Sequence, residues 1–499
     1  MTSTTPAEHF DILVIGAGIS GIGAGHYIRT ELPTKSFAIL EGRDTFGGTW
    51  DLFKYPGIRS DSDLHTFGYE FKPWESKDSI ADAHKIIDYL QETIDENSLG
   101  DKIRYNHKVI SADWSSDDAR WTLQIDKGGE PTTMTANWIL AGTGYYDYDE
   151  GFTPEFAGRE KFSGQIVHPQ FWPEDLDYAG KKVVVIGSGA TAVTLVPSLL
   201  VGEQTAGHVT MLQRTPTYIM PVPKQDPVTN TLHKVFGHKI GHDLSRKRFI
   251  WQQRGVYVFA QRFPKAARKI IRHENAKRLP KDFPVDVHFN PPYNPWDQRL
   301  CAVPDGDLFK AIRSGKADVA TDKIVTFDET GIELASGEHL DADIIVTATG
   351  LKLKLLGGVT LSVDGREVDV PNAVIHRGAM MSGVPNAALA IGYTNSSWTL
   401  KIGMLWKYIT KLINTMDQQG QDIAVAVADP DMPTRPALDF EAGYVQRALK
   451  ELPRQGEADD WRMSMSYFED AKRLGSELSL DESSGLRLSS SKRTSPATV

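Results

Sequence analysis

The sequence predicts an α/β protein with two Rossmann-like dinucleotide-binding domains and an inserted helical subdomain. Two apolar runs, 10–15 and 182–186, each lead directly into a glycine turn, GAGISG at 16–21 and GSGATA at 187–192. A short buried strand followed by a glycine turn and a helix opens a doubly wound nucleotide-binding fold. Between the second turn and the end of the chain, a polar and basic stretch with helical character interrupts this pattern, and it predicts the inserted subdomain.

The composition agrees with a large globular protein. The 499 residues correspond to about three domains, and a net charge of −10 argues against general nucleic-acid binding. Cys301 is the single cysteine, which excludes an intramolecular disulfide, a Cys-x-x-Cys redox pair and a cysteine zinc site, and no metal site is expected. The first residues show no signal peptide and no apolar run reaches transmembrane length, so the sequence predicts a cytoplasmic protein without a transmembrane segment.

The first glycine turn has the context of a dinucleotide site. Gly16, Gly18 and Gly21 stand between a strand and a helix, and Glu41 follows the next apolar run, 20 residues after Gly21. The glycines let the backbone approach a pyrophosphate, the helix N-terminus stabilises its charge, and the carboxylate accepts hydrogen bonds from ribose hydroxyls. The other interpretation is a tight structural turn.

The second turn carries Gly187, Gly189, Ala190 and Thr191, but its second strand ends in QRT at 213–215. An arginine fork pairs with a 2′-phosphate, whereas a carboxylate repels it, so Arg214 and Thr215 predict NADPH over NADH. An ordinary surface arginine is the alternative. Two dinucleotide sites suggest one resident redox cofactor and one hydride donor, and the economical assignment is FAD at the first site and NADPH at the second.

These assignments give the following predicted boundaries. The order along the chain is the FAD-binding domain, first part, 1–147; the NADP-binding domain, first part, 148–220; the helical insertion, 221–296; the NADP-binding domain, second part, 297–347; the FAD-binding domain, second part, 348–480; and a disordered tail, 481–499, rich in serine and charge.

The predicted linker between the two nucleotide-binding domains contains a motif that resembles a known family fingerprint. The segment FSGQIVHPQFWP at 162–173 resembles the F-x-G-x-x-x-H-x-x-x-W-P fingerprint of type I Baeyer–Villiger flavoprotein monooxygenases. Its defined positions are Phe162, Gly164, His168, Trp172 and Pro173. A structural, domain-coupling role is favoured for the fingerprint histidine over direct proton transfer.

A second motif agrees with this resemblance. Gly48, Thr49 and Trp50, followed by Tyr55 and Asp61, resemble the family's G-G-x-W, aromatic-P-G and aspartate signature. Within the family, segments 187–197, 293–301 and 392–401 are similar to the subgroup of mycobacterial ethionamide-activating monooxygenases.

The resemblance implies that NADPH reduces FAD, that reduced flavin captures O₂ as a peroxyflavin, and that this anion attacks a ketone to give an ester or lactone, with sulfoxidation as a side activity. By position, Arg299 matches the catalytic arginine and Asp61 the carboxylate that holds it, although Asp61 could instead cap a helix. Many relatives have lysine where this chain has Gln298, which shifts coenzyme discrimination toward Arg214. Trp398 matches a tryptophan near the nicotinamide or substrate.

Two other functions stay open at this point. One is a flavin monooxygenase that oxygenates mainly sulfur or nitrogen, including thioamides, and the other is a non-catalytic, flavin-binding redox sensor. The expected partners are a small ketone or thioether and O₂, with no nucleic acid. The basic run at 245–278, with eleven Lys and Arg against one Glu, is interpreted as solvated helix faces, with steering of NADPH or contact with anionic lipid as alternatives.

Overall fold

The computed structural model describes residues 7–298, 300–438, 442–478, 480 and 484–491. The helices of the described residues are α1 (Ile19–Glu31), α2 (Thr49–Leu52), α3 (Leu64–Phe67), α4 (Ala83–Glu96), α5 (Ala190–Ser198), α6 (Pro227–Arg262), α7 (Pro264–Ala276), α8 (Val285–His288), α9 (Asp307–Arg313), α10 (Trp398–Gln419), α11 (Gly443–Ala448) and α12 (Tyr467–Gly475). None of these helices is long and apolar enough to cross a membrane.

The strands of the same residues are β1 (Glu8–Ile15), β2 (Phe37–Leu40), β3 (Ile103–Arg104), β4 (His107–Ser115), β5 (Arg120–Lys127), β6 (Glu130–Ala141), β7 (Tyr146–Gly151), β8 (Gln165–Val167), β9 (Lys182–Ile186), β10 (His208–Gln213), β11 (Ile219–Val222), β12 (Cys301–Pro304), β13 (Ala317–Thr321), β14 (Ile324–Phe327), β15 (Gly331–Leu334), β16 (His339–Asp341), β17 (Ile344–Thr347), β18 (Leu351–Leu353), β19 (Thr360–Val363), β20 (Arg366–Glu367), β21 (Ile375–His376), β22 (Met380–Met381), β23 (Ala387–Leu389), β24 (Ile423–Ala426), β25 (Thr434–Pro436), β26 (Arg454–Gly456) and β27 (Leu486–Ser489).

The first glycine turn belongs to a large sheet. Its strand order is β20-β19-β4-β5-β6-β1-β2-β3, and β23 also pairs with β6. Strands β2, β1 and β6 run parallel, and Ile15 stands opposite both Leu40 and Ala141. The residues of β1 near the turn are apolar and buried, as expected for a strand covered on both faces.

The second glycine turn belongs to a separate parallel sheet of order β13-β10-β9-β17-β8. Its central strand, β9, pairs with β10 so that Ile186 lies opposite Leu212. Two sheets of this kind, each with a strand, glycine turn and helix, confirm the predicted α/β class. The chain leaves the first sheet through β7 and returns through β18, and these two strands pair antiparallel.

Helices α6, α7 and α8 lie between β11 and β12, which pair parallel with each other. Helix α6 is interrupted at Gly237, whose φ of 75° and ψ of 170° are not helical. This break divides α6 into a short first part and a long second part, of which the second part lies along the cavity described below.

The prediction of a disordered tail from residue 481 is wrong for 484–491. Leu486–Ser489 forms β27, which pairs antiparallel with β24, and Leu486 is buried. The strand contains only two apolar residues, Leu486 and Leu488. Among the surrounding serines, two alternating leucines are too few to predict a strand. Residues 481–483 and 492–499 lie outside the described residues.

Candidate active site

A cavity of about 770 Å³ lies where the two glycine-turn regions meet. It is lined by the first turn, the 47–50 loop, residues 58–63, the start of α5, the second part of α6 and residues 393–398. Residues from both glycine-turn regions therefore contribute to one site. A shared cavity is what transfer between two bound groups requires.

The first turn is closely packed and leaves its helix N-terminus open. A Cβ on Gly21 would lie 1.8 Å from the carbonyl oxygen of Gly16, and Gly16 itself has φ of 97°. Gly18 is the N-cap residue of α1, and no side chain caps the first-turn N–H groups. These uncapped N–H groups stand beside the cavity, because Gly18, Ile19 and Ser20 all line it.

Glu41 follows β2 and is buried against the first turn. One carboxylate oxygen accepts the N–H of Ala17 at 2.8 Å, and the other accepts the N–H of Arg43 at 3.0 Å. Burial raises the pKa of Glu41, while these backbone N–H groups act in the opposite direction. The carboxylate lines the cavity and has lone pairs left for hydroxyl donors.

The 48–50 loop closes over the first turn. Gly48 has φ of 57° and ψ of −126°, and a Cβ there would lie 3.1 Å from both the Gly18 Cα and the Tyr148 hydroxyl oxygen. Thr49 hydrogen-bonds with Tyr148, and burial raises the pKa of that phenol to about 12. Trp50 packs edge-on against Phe67 and lines the cavity.

Two contacts connect this loop region to the second glycine turn. Buried Tyr55 hydrogen-bonds with Thr191 at the start of α5, and burial raises the pKa of its hydroxyl. Arg59 forms an ion pair with Asp307 of α9 at 2.5 Å. The side chains at 55–59 therefore fix the two nucleotide-binding regions relative to each other.

The second turn is tight at its first glycine and open at its second. Gly187 has φ of 138°, and a Cβ there would lie 2.3 Å from the Ala348 carbonyl oxygen. No atom lies within 4 Å of the position that a Cβ on Gly189 would take. Ala190 and Thr191 line the cavity.

Arg214 and Thr215 lie just beyond β10 and do not line the cavity. Arg214 is exposed and makes no hydrogen bond or ion pair with another described residue. The Thr215 carbonyl accepts a hydrogen bond from Ser188 Oγ at 3.0 Å, which holds this segment against the second turn. An unpaired guanidinium next to a dinucleotide turn is available for a phosphate.

Asp61 lines the cavity, and Ser62 Oγ donates to its Oδ1 at 3.3 Å. It does not cap the following helix, because α3 is capped by Asp63, whose carboxylate accepts the Thr66 N–H at 2.9 Å. The alternative of a helix cap at Asp61 therefore does not hold. Arg299 lies outside the described residues, while its neighbours Gln298 and Leu300 both line the cavity.

Trp398 begins α10 and lines the cavity. Its Nε1 donates to Ser20 Oγ at 3.0 Å, and its ring lies 5.0 Å from that of Tyr145. A Cβ on Gly392 would lie 2.5 Å from the Trp398 ring. This indole therefore connects the return segment of the chain to the first turn.

The linker fingerprint lies away from the cavity, since none of its five defined residues lines it. A Cβ on Gly151 of β7 would lie 2.2 Å from the His168 ring, and a Cβ on Gly164 would lie 2.3 Å from the Asp343 carbonyl oxygen. Burial lowers the pKa of His168. Phe162 is buried, Trp172 packs edge-on near Tyr178, and Pro173 is exposed. Close packing at the crossing between the sheets agrees with a coupling role.

Sequence reasoning missed a polar network at the cavity. Gln253 of α6 donates to Asp63 Oδ2 at 2.7 Å and accepts from Ser396 Oγ at 2.6 Å, and Thr66 and Ser397 share a hydrogen bond of 2.6 Å. Burial raises the pKa of Asp63 to about 6. The capping sequence before α3 was a visible signal for Asp63, whereas nothing local marks Gln253.

The residues fit a flavin dinucleotide at the first turn and a nicotinamide dinucleotide at the second. The first turn offers an uncapped helix N-terminus and a buried carboxylate with free lone pairs. It also faces Gly48, where a Cβ would narrow the space next to Gly18. The second turn offers the uncapped N-terminus of α5 and an unpaired arginine. Anionic phosphates are stabilised at such helix ends.

Comparison with known proteins places the chain among flavoproteins. A family model described as flavin-binding monooxygenase-like matches residues 70–355, and one for an NAD(P)-binding Rossmann-like domain matches residues 14–75. The FAD-containing monooxygenase EthA of Mycolicibacterium smegmatis is 50% identical over 94% of this chain and 95% of its own length. EthA of Mycobacterium tuberculosis is 47% identical over 99% and 100%, respectively.

Solved structures share the fold. A structure of oxidized steroid monooxygenase bound to NADP superimposes with a TM-score of 0.74 at 22% identity, and an open structure of cyclohexanone monooxygenase with 0.74 at 19%. Each comparison covers 97% of this chain and 100% of the other. The predicted fold of two dinucleotide-binding domains is confirmed.

Proposed function

Because the chain belongs to the flavin-binding monooxygenase-like family, we propose that it is a Baeyer–Villiger monooxygenase, which inserts one oxygen atom of O₂ next to a ketone carbonyl to give an ester or lactone. The broader class is a flavin-dependent monooxygenase with FAD and NADPH as cofactors. Sulfoxidation is proposed as a side activity.

The observation that carries the proposal is the single cavity that both glycine-turn regions line. A hydride donor held at the second turn can reach a group held at the first only if the two sites open onto each other. The family fingerprint, with tryptophan at 172, favours ketone oxygenation over oxygenation of sulfur or nitrogen.

The residues of the first turn hold FAD. The N–H groups at the start of α1 stabilise its pyrophosphate, and Glu41 accepts hydrogen bonds from ribose hydroxyls. Thr49, Trp50 and Trp398 line the cavity and exclude water from it. When bound and reduced, FAD supplies the activation of O₂.

The residues of the second turn hold NADPH. The start of α5 stabilises the pyrophosphate, and Arg214 pairs with the 2′-phosphate, aided by Thr215. The hydrogen bond between Tyr55 and Thr191 keeps this turn in place against the first region. Because the two turns are held in place, the hydride donor at the second turn is oriented toward the acceptor at the first.

Arg299 stabilises the negative charge that develops on the attacked carbonyl oxygen of the ketone, since a guanidinium stays protonated at working pH. Asp61, which lines the cavity, is the carboxylate proposed to orient that guanidinium. His168 acts through packing at the crossing between the sheets, because its ring lies against Gly151 of β7 and it does not line the cavity.

The substitution Arg299→Ala tests this division of roles. We expect FAD content and anaerobic bleaching of the flavin by NADPH to stay close to wild type, and ester formation from a ketone to fall by about 100-fold or more. Arg366→Ala, at an exposed arginine of β20, is the control and should change neither. Wild-type ester yield in Arg299→Ala would overturn the assignment, and sulfoxide without ester in the wild type would favour a heteroatom monooxygenase.

A further inference from the structure

Exposed apolar side chains are concentrated on the helices between β11 and β12. Of the sixteen large apolar side chains that are exposed among the described residues, eleven lie within 227–276, which is about a tenth of the chain. Isolated exposed apolar residues are normal on protein surfaces, but a concentration of this kind marks an interaction surface.

The long second part of α6 arranges these residues in one stripe. Ile240, Leu244, Trp251 and Val258 follow one another at intervals of four and seven residues, which is the spacing of a single helical face. They are exposed by 55%, 39%, 65% and 45%. The opposite face is buried against the rest of the molecule through His242, Ser245, Ile250 and Ala260. We call these four apolar residues the α6 stripe, and Lys247 and Arg262 lie on the same face of the helix.

The surface around the stripe is cationic. Helices α6 and α7 carry eleven Lys and Arg against two Asp and Glu, in a chain whose net charge is −10. Six of these cations are exposed and make no ion pair with any other described residue. They are Lys234, Lys239, Lys247, Arg262, Lys265 and Lys269.

We propose that the α6 stripe and the surrounding cations dock this protein on the surface of an anionic lipid bilayer. The apolar side chains enter the headgroup boundary, Trp251 occupies the interface, and the lysines extend to the lipid phosphates. A second copy of the chain does not suit this face, because it would bring two strongly cationic surfaces together. An anionic bilayer satisfies both the apolar and the charged part of the surface.

Docking would also bring a helix that lines the cavity to the lipid surface. Gln252 and Val256, in the same part of α6, are exposed and also line the cavity. This consequence rests on the proposed function: the bilayer would then serve as the source of apolar substrates that partition into it. Vesicle binding itself does not depend on turnover, so the two proposals are tested separately.

The experiment is sedimentation of the full-length, FAD-loaded protein with vesicles of phosphatidylcholine alone or of an equal mixture with phosphatidylglycerol. We expect binding to the anionic vesicles that weakens as salt is raised, because exposed charges are screened. The double variant Ile240→Ser, Trp251→Ser should bind about tenfold or more weakly. Val325→Ser, which removes an exposed apolar side chain from β14, should bind like wild type.

A second double variant, Lys247→Glu with Arg262→Glu, keeps the apolar side chains and should also lose binding to anionic vesicles. Flavin absorbance and circular dichroism show that each variant is folded. Absence of wild-type binding to anionic vesicles at low salt would overturn the proposal. Equal binding by the wild type and both double variants would overturn it too, as would a dimer in sedimentation velocity that the double variants split while vesicle binding is absent.

Discussion

The two glycine turns share one local geometry and differ at the residues around it. In both, the first glycine N–H donates to a carbonyl at or next to the end of the neighbouring strand: Gly16 to Leu40 at 2.7 Å and Gly187 to Leu212 at 2.8 Å. The residue that follows this carbonyl occupies the equivalent position in the two sheets. It is Glu41 in the first sheet and Gln213 in the second. Gln213 is also buried, but its amide donates to the His288 carbonyl and the Thr321 hydroxyl.

The turns also differ in how closely they are covered. Gly18 faces the backbone of Gly48, whereas the corresponding Gly189 has open space where a Cβ would stand. The first turn is thus enclosed and ends at a buried carboxylate, and the second is open and ends beside an exposed arginine. Enclosure suits a cofactor that stays bound, and openness suits one that exchanges in every cycle.

The largest difference is expected at the third position of the turn. Gly21→Ala places a Cβ 1.8 Å from the Gly16 carbonyl oxygen, so either strand or helix must move. We expect loss of FAD and destabilisation by about 3 kcal/mol or more. The second turn already has alanine there, and the reverse change Ala192→Gly should cost only about 1 kcal/mol. Flavin content and thermal unfolding measure both, and a wild-type flavin content in Gly21→Ala would contradict the enclosed turn.

An intermediate effect is expected for the arginine of the second turn. Arg214→Ala removes the proposed charged partner of the 2′-phosphate and should raise KM for NADPH by about tenfold. KM for NADH should stay unchanged, which makes NADH the internal control. Steady-state kinetics with both coenzymes decide this, and equal changes would show that Arg214 does not read the 2′-phosphate.

The smallest effect concerns pH and the carboxylate of the first turn. Burial raises the pKa of Glu41 above its ordinary 4.5, so the folded apoprotein holds this proton more tightly than the unfolded chain. Its contribution to the unfolding free energy is therefore present at low pH and lost as pH rises through the folded pKa. Glu41→Gln should flatten that fall in urea unfolding of the apoprotein. An unchanged pH slope would contradict a buried, protonation-sensitive carboxylate.

The sequence predicted what depends on neighbouring residues. Gly16, Gly187 and their flanking strands could be located because a strand, a tight turn and a helix leave a local pattern. The equivalence of Glu41 with Gln213 could not be obtained by counting, since it depends on which strands pair and in what register. Arg214 therefore lies one position past Gln213, the residue that is equivalent to Glu41.

Contacts between distant segments could not be predicted from the sequence either, because they too depend on how the chain folds. The hydrogen bond from Gln253 to Asp63 joins residues separated by 190 positions, and a polar residue on a long helix has no local signal for such a partner. Asp61 and Asp63 were indistinguishable as caps until the start of α3 was known. The strand β27 was hidden because two leucines among serines carry too weak an alternation.

Oxygen insertion next to a ketone carbonyl can be tested by product analysis with isotope-labelled O₂. Purified, FAD-loaded protein would be supplied with NADPH, one linear aliphatic ketone and, separately, one aryl methyl thioether, and the products followed by mass. We expect an ester that carries one labelled oxygen atom, with sulfoxide as the lesser product. Sulfoxide without ester across a series of ketones of different length would contradict it.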